Sequence, residues 1–226
     1  MYMFAIVWIN YPHNPTGAVA PLSYLEEVYS ICREYGIILC SDECYVDVYY
    51  GEPPHSVLEV GKEGAVAFHS LSKRSGMTGY RSGFVAGDGE IVSTYLKYRS
   101  SFGVASPDFI QEAARVAWLD SEHVKERNEL FRRKKELFEA LFKELGLKFQ
   151  PVEATFYFWV KLPEGVSSEE YALFLLKYGI VISPGEFFGE GGEGYFRIAL
   201  VPTLSQCKKA VELWKRAHRE FMERRS

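Results

Sequence analysis

Residues 4–45 read FAIVWINYPHNPTGAVAPLSYLEEVYSICREYGIILCSDECY, and three pieces of that stretch decide the fold class. The first is a continuous apolar run, Tyr2 to Ile9, rich in valine, isoleucine and aromatic residues and stopped by Asn10-Tyr11-Pro12. Such a run suits a strand buried on both faces. The second begins after Pro21: Leu22, Leu25, Val28, Cys32 and Tyr35 recur at helical spacing, and Gly36 can supply a left-handed cap. The third, Ile37 to Ser41, is another buried strand, closing on Asp42-Glu43. Strand, amphipathic helix, strand is the pattern of a parallel unit in an open α/β sheet.

Working outward, Ala65 to Phe68 predicts a third strand ending on His69-Ser70, and Gly83 to Ala86 a fourth. In open α/β sheets ligands collect beyond the carboxyl ends of the strands. The chemically suggestive residues lie at those ends: Asn14 after the first, Asp42 and Tyr45 after the second, Ser70, Ser72 and Lys73 after the third. The pattern changes after residue 106. Pro107 opens a helix through Trp118, and a long amphipathic helix is expected over Ser121 to Leu145. Strands at Thr155 to Lys161, Ile180 to Ser183 and Tyr195 to Val201 then alternate with helices at Ser168 to Tyr178 and Leu204 to Arg225. The expected organisation is a larger α/β domain over residues 1–120 and a smaller α/β domain over 121–226.

Composition narrows the function. The chain has 226 residues, 47% of them hydrophobic, enough for a substantial core. Lys and Arg number 26 against 30 Asp and Glu, a net charge of −4 that predicts no nucleic-acid footprint. The basic run RRKK at 132–135 is bracketed by glutamates and reads as a solvated helix face. No apolar run is long enough for a membrane span, and a cytoplasmic location is expected. The four cysteines lack the paired spacing of a zinc site and read as free thiols; no metal is expected. Gly189, Gly191 and Gly194 match G-x-G-x-x-G, but they lead into a strand and carry Glu190 and Glu193 among them, so no pyrophosphate site is expected.

HSLSKRSGMTGYRSGF at 69–84 carries the chemistry. A lysine at a strand end among hydroxyls can serve as an amine that bonds an aldehyde. Lys73 has that place. Asp42, at the neighbouring strand end, suits a partner for a protonated pyridine nitrogen, which makes a ring an electron sink. Ser70, Ser72 and Arg81 offer hydroxyl and guanidinium donors for a phosphate.

NPTG at 14–17, SDECY at 41–45, HSLSKRSGMTGYRSG at 69–83 and FRIALV at 196–201, in this order, resemble the class I and II aminotransferases. The resemblance implies the fold type I architecture, a mostly parallel three-layer large domain with a smaller domain, and pyridoxal 5'-phosphate as cofactor. It implies that Lys73 is the covalent anchor, that Asp42 pairs with the pyridinium nitrogen, and that Tyr45 and Asn14 bind the ring's phenolic oxygen. Ser70, Ser72 and Arg81 would hold the phosphate, and Arg197 the substrate's α-carboxylate. A cis bond is expected at Asn14-Pro15. The stretches at 103–128 and 42–60 resemble bacterial succinyldiaminopimelate aminotransferases of lysine biosynthesis, with N-succinyl-diaminopimelate and glutamate as the expected pair and aspartate aminotransferase as the alternative. The family pattern begins well before Tyr2. A partial large domain is therefore expected, with an exposed strand edge covered in a homo-oligomer such as a dimer, and with either a working transaminase or a catalytically silent fragment as the outcome.

Overall fold

The computed structural model describes residues 5–103 and 105–225, so Tyr2 to Phe4 of the first expected strand, and Val104, lie outside the described residues. The chain divides into two units. One comprises residues 1–14, 18–126 and 153–155, the other 15–17, 127–152 and 156–226.

In the first unit, β1 (Ile6–Asn10), α1 (Leu22–Glu34) and β2 (Ile38–Asp42) follow one another. A single turn α2 (Val57–Val60), β3 (Ala65–Ser70), α3 (Leu71–Arg74) and β4 (Gly83–Gly87) come next, and then α4 (Gly89–Ser101) and α5 (Asp108–Leu119). The sheet order is β1-β2-β3-β4, with β1, β2 and β3 parallel and β4 antiparallel to β3. This is the parallel-dominated α/β arrangement that the strand-helix-strand pattern predicts. Parallel strands end together, so Asn10, Asp42 and Phe68 stand in register at one edge.

Strand alternation sorts the side chains. Val7 and Ile9 pack on Leu39, Ala65 and Ala67 with Cys32 and Val28 of α1 and Val57 of α2. Ile6 and Trp8 point the other way and are 51% and 60% exposed, although Trp8 meets the Phe68 ring at 4.9 Å. The expectation of a first strand buried on both faces is thus corrected: the described residues cover one face.

The second unit takes most of α6 (Glu122–Glu144), then β5 (Lys148–Phe149), β6 (Tyr157–Lys161), α7 (Ser168–Leu176), β7 (Ser183–Pro184), β8 (Tyr195–Ala199) and α8 (Leu204–Glu223). Its sheet, in the order β5-β6-β8-β7, is antiparallel throughout. Phe158, Val160, Phe196 and Ile198 turn inward, where Phe142 of α6 packs on Phe158 and Phe196, and Trp214 of α8 on Phe142 and Phe196, with ring centroids 5.4–6.0 Å apart. Tyr157, Trp159, Lys161, Tyr195 and Arg197 share the opposite face.

Two further expectations change. In RRKK, Lys134 is buried and donates to the Leu200 carbonyl at 3.0 Å, with its ammonium 5.1 Å from the Phe131 ring. It lies on the Phe131/Phe138 stripe, and its long apolar stem makes that burial possible. The strand expected over Ile180 to Ser183 reduces to Ser183–Pro184. No described helix is long and apolar enough to cross a membrane.

Candidate active site

The carboxyl edge of β1, β2 and β3 is built by short polar links. Asn10, the last residue of β1, donates from Nδ2 to the Asp42 carbonyl at 2.9 Å, and its Oδ1 accepts the Asn14 backbone N–H at 3.2 Å. One side chain therefore ties the end of β2 to the loop that carries Asn14. The cis peptide of this loop is Tyr11-Pro12, not the expected Asn14-Pro15. Either X-Pro amide tolerates cis at small cost, so the motif alone does not select between two prolines three residues apart.

Asp42 accepts the Cys44 N–H on Oδ1 at 3.1 Å, an Asx-type turn that fixes its carboxylate as the chain leaves β2. Tyr45 is buried, and the Lys73 ammonium lies 5.3 Å from its ring centre. The Cys44 thiol reports on both charged neighbours. Burial, then the Asp42 carboxylate, pushes it up to about 12, while Lys73 pulls the other way. Asp42 and Lys73 thus act on the same sulfur.

Lys73 sits on α3, a single turn capped at its start and anchored to α5 at its finish. At its start, Ser70 Oγ accepts the Ser72 N–H at 3.2 Å. At its finish, buried Arg74 reaches α5, donating to the carbonyls of Ala117 at 2.9 Å and Asp120 at 3.1 Å, with Asp47 at 3.2 Å and the Trp118 ring 5.2 Å away. Arg74 satisfies carbonyls orphaned at the end of α5 and pins the turn that presents Lys73. Ser70 also pairs with Gly83 across β3 and β4, where a Cβ on Gly83 would run into the His69 carbonyl. Arg81 precedes that close approach in the left-handed region (φ 51°); it is exposed and donates to the Thr78 carbonyl at 3.1 Å.

Sequence reasoning missed Asn10, Cys44, Glu43 and Arg74. Glu43 is 1% exposed: Oε1 accepts the Val57 N–H at 2.9 Å, and Oε2 lies 3.5 Å from His69 Nε2. His69 stacks on Phe84 at 4.6 Å, and burial lowers its pKa despite the acidic neighbours Glu43, Asp47 and Asp42. The readable signal was a polar residue closing each apolar run. What it touches was not readable.

Arg197 belongs to the second unit, on β8. Its guanidinium carbon lies 4.3 Å from the Tyr157 ring centre and 4.6 Å from that of Phe188, with Ser183 Oγ 3.5 Å from Nη2.

The residues present suit pyridoxal 5'-phosphate by the chemistry of their donors. An amine, a carboxylate and a hydroxyl-lined helix start meet at one sheet edge, where Asp42 closes β2 and Ser70 caps the turn that carries Lys73.

Comparison with known proteins bears on these residues. A family model described as aminotransferase class I and II matches residues 3–213. An LL-diaminopimelate aminotransferase of Aquifex aeolicus is 40% identical over 212 residues, covering 92% of this chain and 55% of the relative. A second, from a Nostoc species, is 37% identical with similar coverage. A solved probable N-succinyldiaminopimelate aminotransferase from Thermus thermophilus superimposes with TM-score 0.85 at 34% identity, covering 94% of this chain and 58% of that one. The chain spans about half the length of the curated relatives it matches.

Proposed function

Because the chain belongs to the class I and II aminotransferase family, we propose that it serves transamination between an amino acid and a 2-oxo acid, with pyridoxal 5'-phosphate held at the carboxyl edge of β1, β2 and β3. The observation that carries this reading is the placement of Lys73 on a turn capped by Ser70 and pinned by Arg74, at the sheet edge where Asp42 closes β2.

In this reading Ser70, Ser72 and Arg81 hold the cofactor's phosphate, and Asn14 and Tyr45 its phenolic oxygen. The bound cofactor supplies an electron sink for the electrons released at the substrate's α-carbon. The Asp42 carboxylate, fixed by the Cys44 N–H, keeps a proton on the ring nitrogen by charge-assisted hydrogen bonding. Lys73 Nζ would anchor the cofactor and, as a free amine, would take the α-proton of the amino acid and return it during the exchange. Arg197 binds the substrate α-carboxylate.

For the substrate, the reading is a diaminopimelate skeleton with glutamate and 2-oxoglutarate as the exchange pair. The Thermus neighbour's name supports the N-succinylated compound, and the names of the Aquifex and Nostoc relatives support the unacylated one. A homo-oligomer in the cytoplasm belongs to the same proposal, and the exposed Ile6 and Trp8 on edge strand β1 support its oligomeric part. The test is incubation with pyridoxal 5'-phosphate, borohydride reduction and peptide mapping. A label on Lys73, absent in Lys73→Ala, supports the site, and an unlabelled Lys73 overturns it. Incubation with either diaminopimelate compound plus 2-oxoglutarate, followed by glutamate detection, decides the donor.

A further inference from the structure

One face of the second unit's sheet carries a run of stacked rings ending on a cation. On β6, Tyr157, Trp159 and Lys161 share that face, and on β8 so do Tyr195 and Arg197, paired as Trp159 with Arg197 and Lys161 with Tyr195. Tyr195 stacks on Trp159 with centroids 5.4 Å apart and planes 6° from parallel. Trp159 meets Phe188 edge-on at 5.5 Å and 90°. Phe188 and Tyr157 then both contact the Arg197 guanidinium.

Phe188 is the member that the sheet itself does not place. It ends the 3-10 turn Gly185–Phe188, and that turn is set by the close approach of Gly185 to Gly192, where a Cβ on either glycine would strike the other's carbonyl. Trp159 supports it from the side. The glycine-rich loop rejected as a phosphate site thus has a job, which is to bring an aromatic ring onto an arginine.

A guanidinium is planar and donates only in its plane, whereas its faces are attracted to aromatic rings. Rings against Arg197 leave its in-plane N–H groups for hydrogen bonding. Nε is shielded from solvent and Nη2 reaches Ser183 Oγ at 3.5 Å, so a ligand would meet the guanidinium at the end carrying Nη1 and Nη2. That end matches a carboxylate by two parallel hydrogen bonds. Holding the long side chain in place before the ligand arrives removes much of the ordering cost of binding.

We propose that Phe188 is a positioning residue for Arg197: together with Tyr157 it fixes the guanidinium plane, so that a carboxylate is taken end-on through Nη1 and Nη2. This rests on the reading of Arg197 as the carboxylate-binding residue. The same fork serves amino acid and 2-oxo acid alike, because both present a carboxylate, so losing the ring weakens both partners together.

The test follows the Arg197 Nε–Hε resonance in the full chain, assigned by its loss in Arg197→Lys. In Phe188→Leu, which keeps most of the bulk but not the π face, the resonance loses its ring-current shift and its side-chain order falls, and Phe188→Tyr restores both. Titration with 2-oxoglutarate, read at this resonance, weakens about tenfold in Phe188→Leu, the scale of one cation–π contact. Unchanged Arg197 order and shift in Phe188→Leu overturn the proposal. An Arg197 resonance that 2-oxoglutarate leaves unmoved in the unsubstituted chain overturns the carboxylate reading instead, while the order measurement still decides the role of Phe188.

Discussion

Asn10 and Asp42 end neighbouring parallel strands in register, and the Asn10 amide joins them by donating to the Asp42 carbonyl at 2.9 Å. The same side chain accepts from the Asn14 backbone, so two candidate cofactor contacts hang on one amide. Asn10→Ala removes both links. The expected cost is about 1–3 kcal/mol, two hydrogen bonds at ordinary net worth with one partly buried carbonyl left under-satisfied. Urea unfolding checks the stability, and a reduced yield of cofactor label on Lys73 checks the coupling to the site. Unchanged labelling would separate Asn10 from the candidate pocket.

Arg74 supplies the second prediction. A lysine in its place keeps the charge but cannot reach the Ala117 and Asp120 carbonyls and Asp47 at once, nor stack as a plane on Trp118. Arg74→Lys is expected to cost about 2–4 kcal/mol by leaving buried polar groups without donors. Thermal unfolding measures this. Because α3 is a single turn, losing its anchor also loosens Lys73, and labelling at Lys73 falls even at temperatures where the chain stays folded.

Much of this was legible from the chain. The strand-helix-strand pattern of residues 4–45 predicts a parallel pair, and β1, α1 and β2 form it, because apolar runs of five or six residues closed by polar ones leave little choice of state. Lys73, Ser70 and Asp42 were picked out by their places at strand ends. Long-range partners were not legible. Nothing near Lys134 announces a carbonyl 66 residues away, and nothing near Arg74 announces two carbonyls at the far end of α5. The short turns were lost for a related reason: α2 and α3 have four residues each, fewer than a helical pattern needs to declare itself.

Gly185 and Gly191 stand six residues apart in one loop and should respond in opposite ways to the same change. A Cβ at Gly185 would collide with the Gly192 and Tyr195 carbonyl oxygens, whereas at Gly191 it would meet nothing. Gly185→Ala is expected to cost about 2–4 kcal/mol, since backbone must move to admit the methyl group. Gly191→Ala should stay within about 0.5 kcal/mol of the parent. Paired urea titrations read the difference. Displacing the Gly185–Phe188 turn also moves Phe188 off Arg197, so the Arg197 resonance shifts in the first variant and holds in the second.

In the second unit the buried Tyr171 hydroxyl accepts from Trp214 Nε1 at 2.8 Å and shares a hydrogen bond of 2.8 Å with His218 Nδ1. With His218 neutral and its proton on Nε2, Nδ1 is the acceptor and the Tyr171 hydroxyl the donor. Burial favours the neutral form of both groups: it lowers the His218 pKa below 6.5, and it raises that of Tyr171 well above its ordinary value. Tyr171→Phe leaves an indole N–H and an imidazole nitrogen unsatisfied inside the core, a loss of about 2–5 kcal/mol. The pH dependence has a definite sign. With the folded pKa depressed, the unfolded chain takes up a proton at His218 before the folded chain does. The His218 contribution is complete above pH 6.5 and declines as pH falls from there toward the folded value. His13 and His69 are depressed in the same direction, so the test is a difference. His218→Asn keeps an acceptor for Tyr171 without a titrating ring, and its stability relative to the parent should improve steadily from pH 7 to pH 5. A gap that stays constant over that range would mean that His218 takes up its proton equally in both states.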